Sequence, residues 1–267
     1  MDKHSILNVS TDLKALVLAI GSNNTKEINI NNLENISLNN FEQMKLLKSF
    51  VDSVKAKNAD RLDTNFNETQ NFKFISLQSV DNLFMGAIDS EISNLRKSIL
   101  ESDLIEAIIA LPNQIFSNDK GFYCLFVLNV NKDVKKRGKI QIIDASCCYK
   151  ETERAGEKCK EISNNQINEI VKVLNENKTQ KYDFNDFILR SKICNLNDFC
   201  IYEIEMIKSD KCNERTDENY EKLLIKTTLP VQEYFDKFLK DDYAGFIIDE
   251  EKIKIGYEIM IFDEFTD

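Results

Sequence analysis

The chain has no tryptophan, two prolines and a single histidine among its 267 residues. Each scarcity removes a class of chemistry. His4 is the only imidazole, so neither a Ser-His-Asp nor a Cys-His catalytic set can be assembled convincingly, and no Gly-x-Ser-x-Gly elbow occurs. The closest of the seven glycines, Gly245 and Gly256, stand 11 positions apart. A glycine-rich turn, which would let backbone approach a nucleotide closely, is therefore missing, the Gly-x-x-x-x-Gly-Lys phosphate loop included. The seven cysteines, Cys124, Cys147, Cys148, Cys159, Cys194, Cys200 and Cys212, are odd in number, irregularly spaced and without a Cys-x-x-Cys pair. They read as reduced thiols, and a Cys/His zinc site has little to be built from. Long apolar runs are also absent. Leu104–Leu111 and Phe122–Val130 are the longest, short of the roughly 18 residues a membrane span needs. Met1–Ser10 has no basic start leading into an apolar run, so a cytoplasmic chain without a membrane segment is expected.

What is present is a chain that is 42% hydrophobic, enough for a sizeable core, with a net charge of −10. That acidity argues against a domain whose main task is to grip phosphates. The exception is a basic run, Lys132, Lys135, Lys136, Arg137 and Lys139, relieved only by Asp133. Lys135, Lys136, Arg137 and Lys139 are the candidate nucleic-acid contacts; the plainer reading is a solvated turn between two strands. Acidic runs such as Asp241-Asp242 and Asp249-Glu250-Glu251 read as solvated surface in a chain with 45 acidic residues.

Periodicity divides the chain. Asparagine crowds residues 21–40; Leu16–Ile20 reads as a buried strand; Phe41, Met44, Leu47, Val51 and Val54 give a helix with one apolar face, followed by a polar loop over residues 60–69. Strands are expected at Phe72–Leu77, Leu104–Leu111, Phe122–Val130 and Lys139–Asp144, with a helix from Ile88 to Glu101 facing the sheet through Ile88, Ile92, Leu95 and Ile99. About ten residues join the second and third of these strands, too few for a parallel crossover, so the pair should be antiparallel. Residues 147–162 read as a loop before a helix marked by Ile167, Ile170, Val171 and Leu174 and capped by Ser163 or Asn164. At least one strand is expected in residues 182–207, with Cys200, Tyr202, Ile204 and Met206 on one face. A charged loop should follow at residues 209–219. Pro230 opens a short helix carrying Val231, Tyr234, Phe235 and Phe238 on one side, and Ile253–Ile261 reads as the last strand.

Several blocks resemble a known family. Asn82-Leu83-Phe84-Met85-Gly86, Leu95-Arg96-Lys97-Ser98-Ile99-Leu100-Glu101, Leu104–Pro112 with Ile115-Phe116, Arg137-Gly138-Lys139 and Ile142-Ile143-Asp144-Ala145-Ser146 follow one another in a characteristic order. Weaker similarity runs through Ile167–Val171 and Asn197-Asp198-Phe199, and it sharpens at Phe246-Ile247-Ile248-Asp249 and Lys252–Ile259. These residues, covering about Phe72 to Phe265, are similar to the C-terminal half of the modification subunit, an adenine-specific DNA methyltransferase, of type I restriction systems. The chain departs from that pattern where Ile247 replaces a tryptophan and Asp263-Glu264-Phe265 stands for Arg-His-Phe.

The resemblance implies an α/β fold: the C-terminal part of a Rossmann-like methyltransferase sheet ending in an antiparallel strand pair, plus a smaller α+β C-terminal region. The implied boundaries are a divergent region over residues 1–70, a methyltransferase-like domain over 71–177 and a C-terminal region over 178–267. Family members use S-adenosylmethionine and hold the target base with an Asn/Asp-Pro-Pro-aromatic tetrad. Pro112 and Pro230 cannot form that tetrad, and Val17–Asn23 resembles it only faintly. No catalytic, cofactor-binding or metal-binding residue is carried over, and no cofactor is expected for this chain alone. The implied role is a truncated or degenerate modification subunit that partners specificity and modification subunits and meets DNA through the complex. The alternatives are one half of a split adenine methyltransferase completed by a separate chain, and a decayed product.

Overall fold

The computed structural model describes residues 11–22, 28–29, 40–60, 73–116, 121–154, 157–208, 220–262 and 265. His4, Cys212 and the loops expected at residues 61–69 and 209–219 lie outside them. The elements are helices α1 (Thr11–Ser22), α2 (Asn40–Asp60), α3 (Glu91–Leu100), α4 (Asn164–Glu176) and α5 (Val231–Tyr234), and strands β1 (Ile28–Asn29), β2 (Lys73–Ser79), β3 (Ile105–Ala110), β4 (Tyr123–Asn129), β5 (Lys139–Asp144), β6 (Lys150–Arg154), β7 (Glu157–Glu161), β8 (Gln180–Asp183), β9 (Ile188–Asn195), β10 (Cys200–Lys208), β11 (Tyr220–Lys226), β12 (Phe246–Ile248) and β13 (Lys254–Tyr257).

Seven strands form one mixed sheet in the order β1-β2-β4-β3-β5-β9-β8. β1 is parallel to β2 and β3 to β5, while β4 runs antiparallel to both its neighbours and β9 antiparallel to β5 and β8. The short β3–β4 connection thus produces the antiparallel pair expected from its length. β8 and β9, beyond residue 178, belong to this same sheet.

Both faces of the sheet are covered, which is why β4 is apolar without a break from Cys124 to Leu128 instead of alternating. Along β4, Leu125 and Val127 enter the core made with α1 and α4, whereas Cys124, Phe126 and Leu128 enter the core made with α2 and α3. Strand alternation sorts one continuous apolar run onto two cores.

Helix α4 begins with a reciprocal capping box: Gln166 N donates to Ser163 Oγ at 3.4 Å and Ser163 N donates to Gln166 Oε1 at 2.8 Å. Ser163 is therefore the cap, and Ile167, Ile170, Val173 and Leu174 are the buried stripe. Helix α2 buries Met44, Leu47, Val51 and Val54, the face its spacing predicts.

A second sheet has β10 at its centre, paired with β11 on one side and with β12 and β13 on the other. Ile204, Met206, Ile225, Phe235 and Ile248 are buried together beneath it.

Five expectations change. Leu16–Ile20 is helical, part of α1, where Leu13, Leu16, Val17 and Ile20 are buried at three- and four-residue spacing. Five apolar residues alone cannot separate a strand from a helix segment, and adding Leu13 decides it. Residues 147–162 are not a loop, because β6 and β7 form a hairpin whose register sets Lys150 opposite Glu161 and Glu151 opposite Lys160. Opposite charges across the pair stabilise strands that carry few apolar residues. The last strand stops at Tyr257, since Glu258 N and Ile259 N donate to Phe199 O and Leu83 O, leaving Ile259 and Ile261 buried in an irregular tail. Phe238 is 53% exposed, because α5 runs on as a π-helical turn, Phe235–Leu239, that carries it off the buried side. Finally, Ile88 precedes α3, and the fully buried positions of that helix are Ser93, Arg96, Ile99 and Leu100, with Ile92 and Leu95 half-buried beside them.

Ile99→Ala should accordingly cost about 2 to 5 kcal/mol in a urea unfolding experiment. Ile92→Ala, at a half-buried position, should cost about 1 kcal/mol. Equal losses would place the two side chains in equivalent surroundings and contradict the burial pattern.

Candidate functional site

In sheets with parallel strands the ligand crevice lies outside the strands' carboxyl ends. Here those ends are Ser79 of β2, Ala110 of β3 and Asp144 of β5. Behind the first is a buried polar chain: Gln78 Nε2 donates to Ser76 Oγ at 2.7 Å, and Asn82 Nδ2 donates to Gln78 Oε1 at 3.0 Å. Beyond Ala110, the hairpin strand β7 is tied down, because Lys160 N donates to Gln114 O at 3.0 Å, and its Nζ donates to Asn113 Oδ1 and sits 3.8 Å from the Tyr149 ring centroid. Beyond β5, Ser146 N donates to Asp144 Oδ1 at 3.0 Å, and Cys147 is exposed. The C-terminal tail covers the remaining corner, with Phe262 packed edge-on to Phe122 at 6.2 Å.

Gly86, in the turn after β2, is no ligand cradle. It has φ +96°, and a Cβ there would stand 2.4 Å from Ser90 Oγ and 2.6 Å from Ile92 Cγ2, so the chain's own side chains fill the space. Among the described residues no three His, Cys, Asp or Glu side chains gather to hold a metal ion, and no helix is long and apolar enough to cross a membrane.

The basic run sits at the opposite, amino edge of the same sheet. Lys135, Arg137 and Lys139 are exposed there, on a turn between β4 and β5. Lys132 is instead buried, its Nζ donating to Asp103 Oδ1 at 2.7 Å and to Lys139 O at 2.6 Å. Lys136 reaches Glu106 at 2.5 Å, and Lys73 approaches the other oxygen of that carboxylate at 3.2 Å. A register shift in β3 between Ile105 and Ala107 leaves Glu106 as the bulged residue. Asn129 Nδ2 donates to it at 3.1 Å. Burial pushes the Glu106 carboxyl up, but Lys73, Lys136 and Asn129 together hold it below the usual carboxylate range. The four candidate contacts are thus brought onto one turn, but Lys136 is partly spent on an internal pair.

Sequence reasoning passed over Glu106, although a lone carboxylate inside the apolar run Leu104–Leu111 was a visible signal. It also passed over Arg96, which is 2% exposed. Arg96 Nε donates to Tyr257 O at 2.6 Å, and Nη1 donates to Asn82 O at 2.9 Å and Met85 O at 3.0 Å. It joins α3, the turn after β2 and the last strand of the second sheet.

A sequence profile of the family described as N-6 DNA Methylase matches residues 78–220, the stretch from the end of β2 to the start of β11. The chain belongs to the N-6 DNA methylase family. Within it, the chain is 41% identical over 63 residues to the type I restriction enzyme HindI methylase subunit of Haemophilus influenzae, covering 22% of this chain and 14% of that protein. It is 45% identical over 64 residues to the MjaVII methylase subunit of Methanocaldococcus jannaschii, covering 24% of this chain and 11% of that one. The matched stretches are thus a small part of these relatives' length. Among solved structures, the type I restriction-modification methyltransferase subunit of Streptococcus thermophilus aligns with a TM-score of 0.36 at 19% identity, over 48% of this chain and 24% of that one. The S-adenosylmethionine-binding turn and base-holding tetrad that the resemblance implies for such proteins are not fitted by the described residues. Val17–Ser22, faintly similar to the tetrad segment, lies in α1, so no strand end presents it; Asn23 is outside the described residues.

Glu106→Gln should lower stability at neutral pH, where the wild-type carboxylate is ionised between Lys73 and Lys136. A carboxyl held below its usual range in the folded chain stabilises the fold above that range, and the gain is lost as pH falls through it. The difference between wild type and Glu106→Gln in urea midpoints should therefore shrink as pH is lowered, and a gap constant with pH would refute the ion pairing. Arg96→Met should cost more than about 2 kcal/mol by the same measurement, since three carbonyls, two of them in buried hydrogen bonds, lose their donor.

Proposed function

We propose that this chain acts as a type I modification-subunit-like component of a restriction-modification assembly and does not by itself transfer a methyl group. The observation that carries the reading is the profile match over residues 78–220, set against a sequence whose two prolines and widely separated glycines cannot supply the base-holding tetrad or the cofactor turn. Consistent with it, the chain's own β6–β7 hairpin, anchored at Lys160, and the tail residue Phe262 lie at the crevice edge. The names of the relatives add that proteins sharing these segments are methylase subunits of type I restriction enzymes.

The natural partner on this reading is a DNA-reading specificity subunit, with a modification subunit supplying the chemistry. The family-like segment Lys254–Ile259 offers it little apolar surface. Gly256, Tyr257 and Ile259 are buried, and Gly256 is required because a Cβ there would stand 2.6 Å from Ile88 Cγ1. Ile255, 42% exposed, is the apolar side chain left outward.

Calorimetric titration with S-adenosylmethionine should give no binding heat, and incubation with DNA and labelled cofactor should give no transfer. Micromolar binding, or label on adenine, overturns the non-catalytic reading. Co-expression with a cognate specificity subunit should give co-purification that Ile255→Asp weakens without unfolding the chain; failure of the wild-type chain to be captured overturns the assembly role.

A further inference from the structure

We propose that Lys135, Arg137 and Lys139 on the β4–β5 turn form a contact for the sugar–phosphate backbone of duplex DNA, at the sheet's amino edge and separate from its crevice edge. The choice of DNA as the polyanion rests on the reading of the chain as part of a DNA-modifying assembly. The existence of an anion-seeking surface does not.

The argument is one of uncompensated charge. The turn and the strand ends beside it hold six cations, Lys73, Lys132, Lys135, Lys136, Arg137 and Lys139, and three carboxylates, Asp103, Asp133 and Glu106. Every one of those carboxylates is engaged. Asp103 Oδ1 accepts from Lys132 Nζ at 2.7 Å and from Gly138 N at 3.0 Å. Asp133 Oδ1 accepts from Lys135 N at 2.8 Å. Glu106 is shared between Lys73 and Lys136. The inward cations pair with Asp103 and Glu106, while the exposed Asp133 accepts only a backbone N–H, so the outward side keeps three cations, none ion-paired among the described residues, against one carboxylate. On a chain whose net charge is −10, a locally cationic edge is a face that a polyanion can approach with less repulsion.

The turn is also rigid. Lys136 N donates to Asp133 O at 2.8 Å, Arg137 N donates to Val134 O at 3.3 Å, and the Asp103 carboxylate pins Gly138 from the β3 side. A backbone fixed before binding leaves less ordering entropy to be lost on contact. Lys135, Arg137 and Lys139 occupy alternate positions of a short bend and are all exposed. A contact to the sugar–phosphate backbone carries no base information, so binding should be indifferent to sequence.

The test is fluorescence anisotropy of a short labelled duplex titrated with the full chain at several salt concentrations. Three phosphate contacts should give a slope of log affinity against log salt of about −2.7. The triple variant K135Q/R137Q/K139Q should keep the wild-type thermal melt, bring that slope close to zero and weaken binding about tenfold or more at low salt. Two unrelated duplex sequences should bind the wild-type chain equally. Unchanged affinity and slope in the folded triple variant overturn the proposal, as does an absence of salt-dependent duplex binding by the wild-type chain. Salt-sensitive self-association lost in the triple variant, with no duplex binding, would assign the patch to an acidic protein surface and also overturn it. Capture by a specificity subunit is scored separately, so a failed DNA contact and a failed assembly role are distinguishable.

Discussion

Arg96 is the interaction on which the arrangement of the two sheets depends. Its guanidinium is buried without a carboxylate in hydrogen-bond contact and is held by the carbonyls of Asn82, Met85 and Tyr257, drawn from two segments that lie far apart in sequence. Burial pushes its ionisation down to about 10, with Glu258 opposing part of that, so the group is still a cation at neutral pH. Nε and Nη1 are met by these carbonyls, which offsets part of the cost of burying the charge, while Nη2 is buried with no hydrogen-bond partner among the described residues. The outer ring of the seam is ionic, since Lys254 bridges the solvated Asp89 at 2.8 Å and the largely buried Glu203 at 3.1 Å. If Arg96 is lost, β13 loses its buried hydrogen bond to α3 and keeps the more exposed ones from Lys97 to Ile255 O and from Tyr257 Oη to Glu101.

The large sheet is polarised end to end. At its carboxyl edge the chain closes on itself through the hairpin and the tail; at its amino edge a bulge turns Glu106 toward two lysines while three other cations face outward. The bulge matters because an undisturbed strand would have given Glu106 the surroundings of its apolar neighbours. An acidic protein thereby presents a cationic edge, and at the crevice edge its own β6–β7 hairpin and tail lie beside the strand ends.

Much of the fold was readable from residues. The α2 and α4 stripes, the Ser163 cap and the β3–β4 pairing followed from spacing and loop length, because those depend on local geometry. The β6–β7 hairpin was hidden by its polar composition, since its pairing depends on charges opposite one another across two strands. Residues Leu16–Ile20 were misread because a short apolar run carries no period of its own. The basic run was visible, but not the division of its cations into inward and outward sets.

The sequence by itself determined which segments become helix or strand in the long periodic stretches, which chemistry is missing, and that a cationic turn interrupts an acidic chain. All of these depend on residue identity and near-neighbour spacing. Only the tertiary structure decided that Arg96 would be a buried tie instead of a surface cation, and that Lys132 and Lys136 would be neutralised by Asp103 and Glu106. Those outcomes depend on groups 11 to 161 positions apart for Arg96 and about 30 for the two lysines, which meet only when the strands and helices pack. Burial, which sets the strength of each pairing, exists only once that packing has formed.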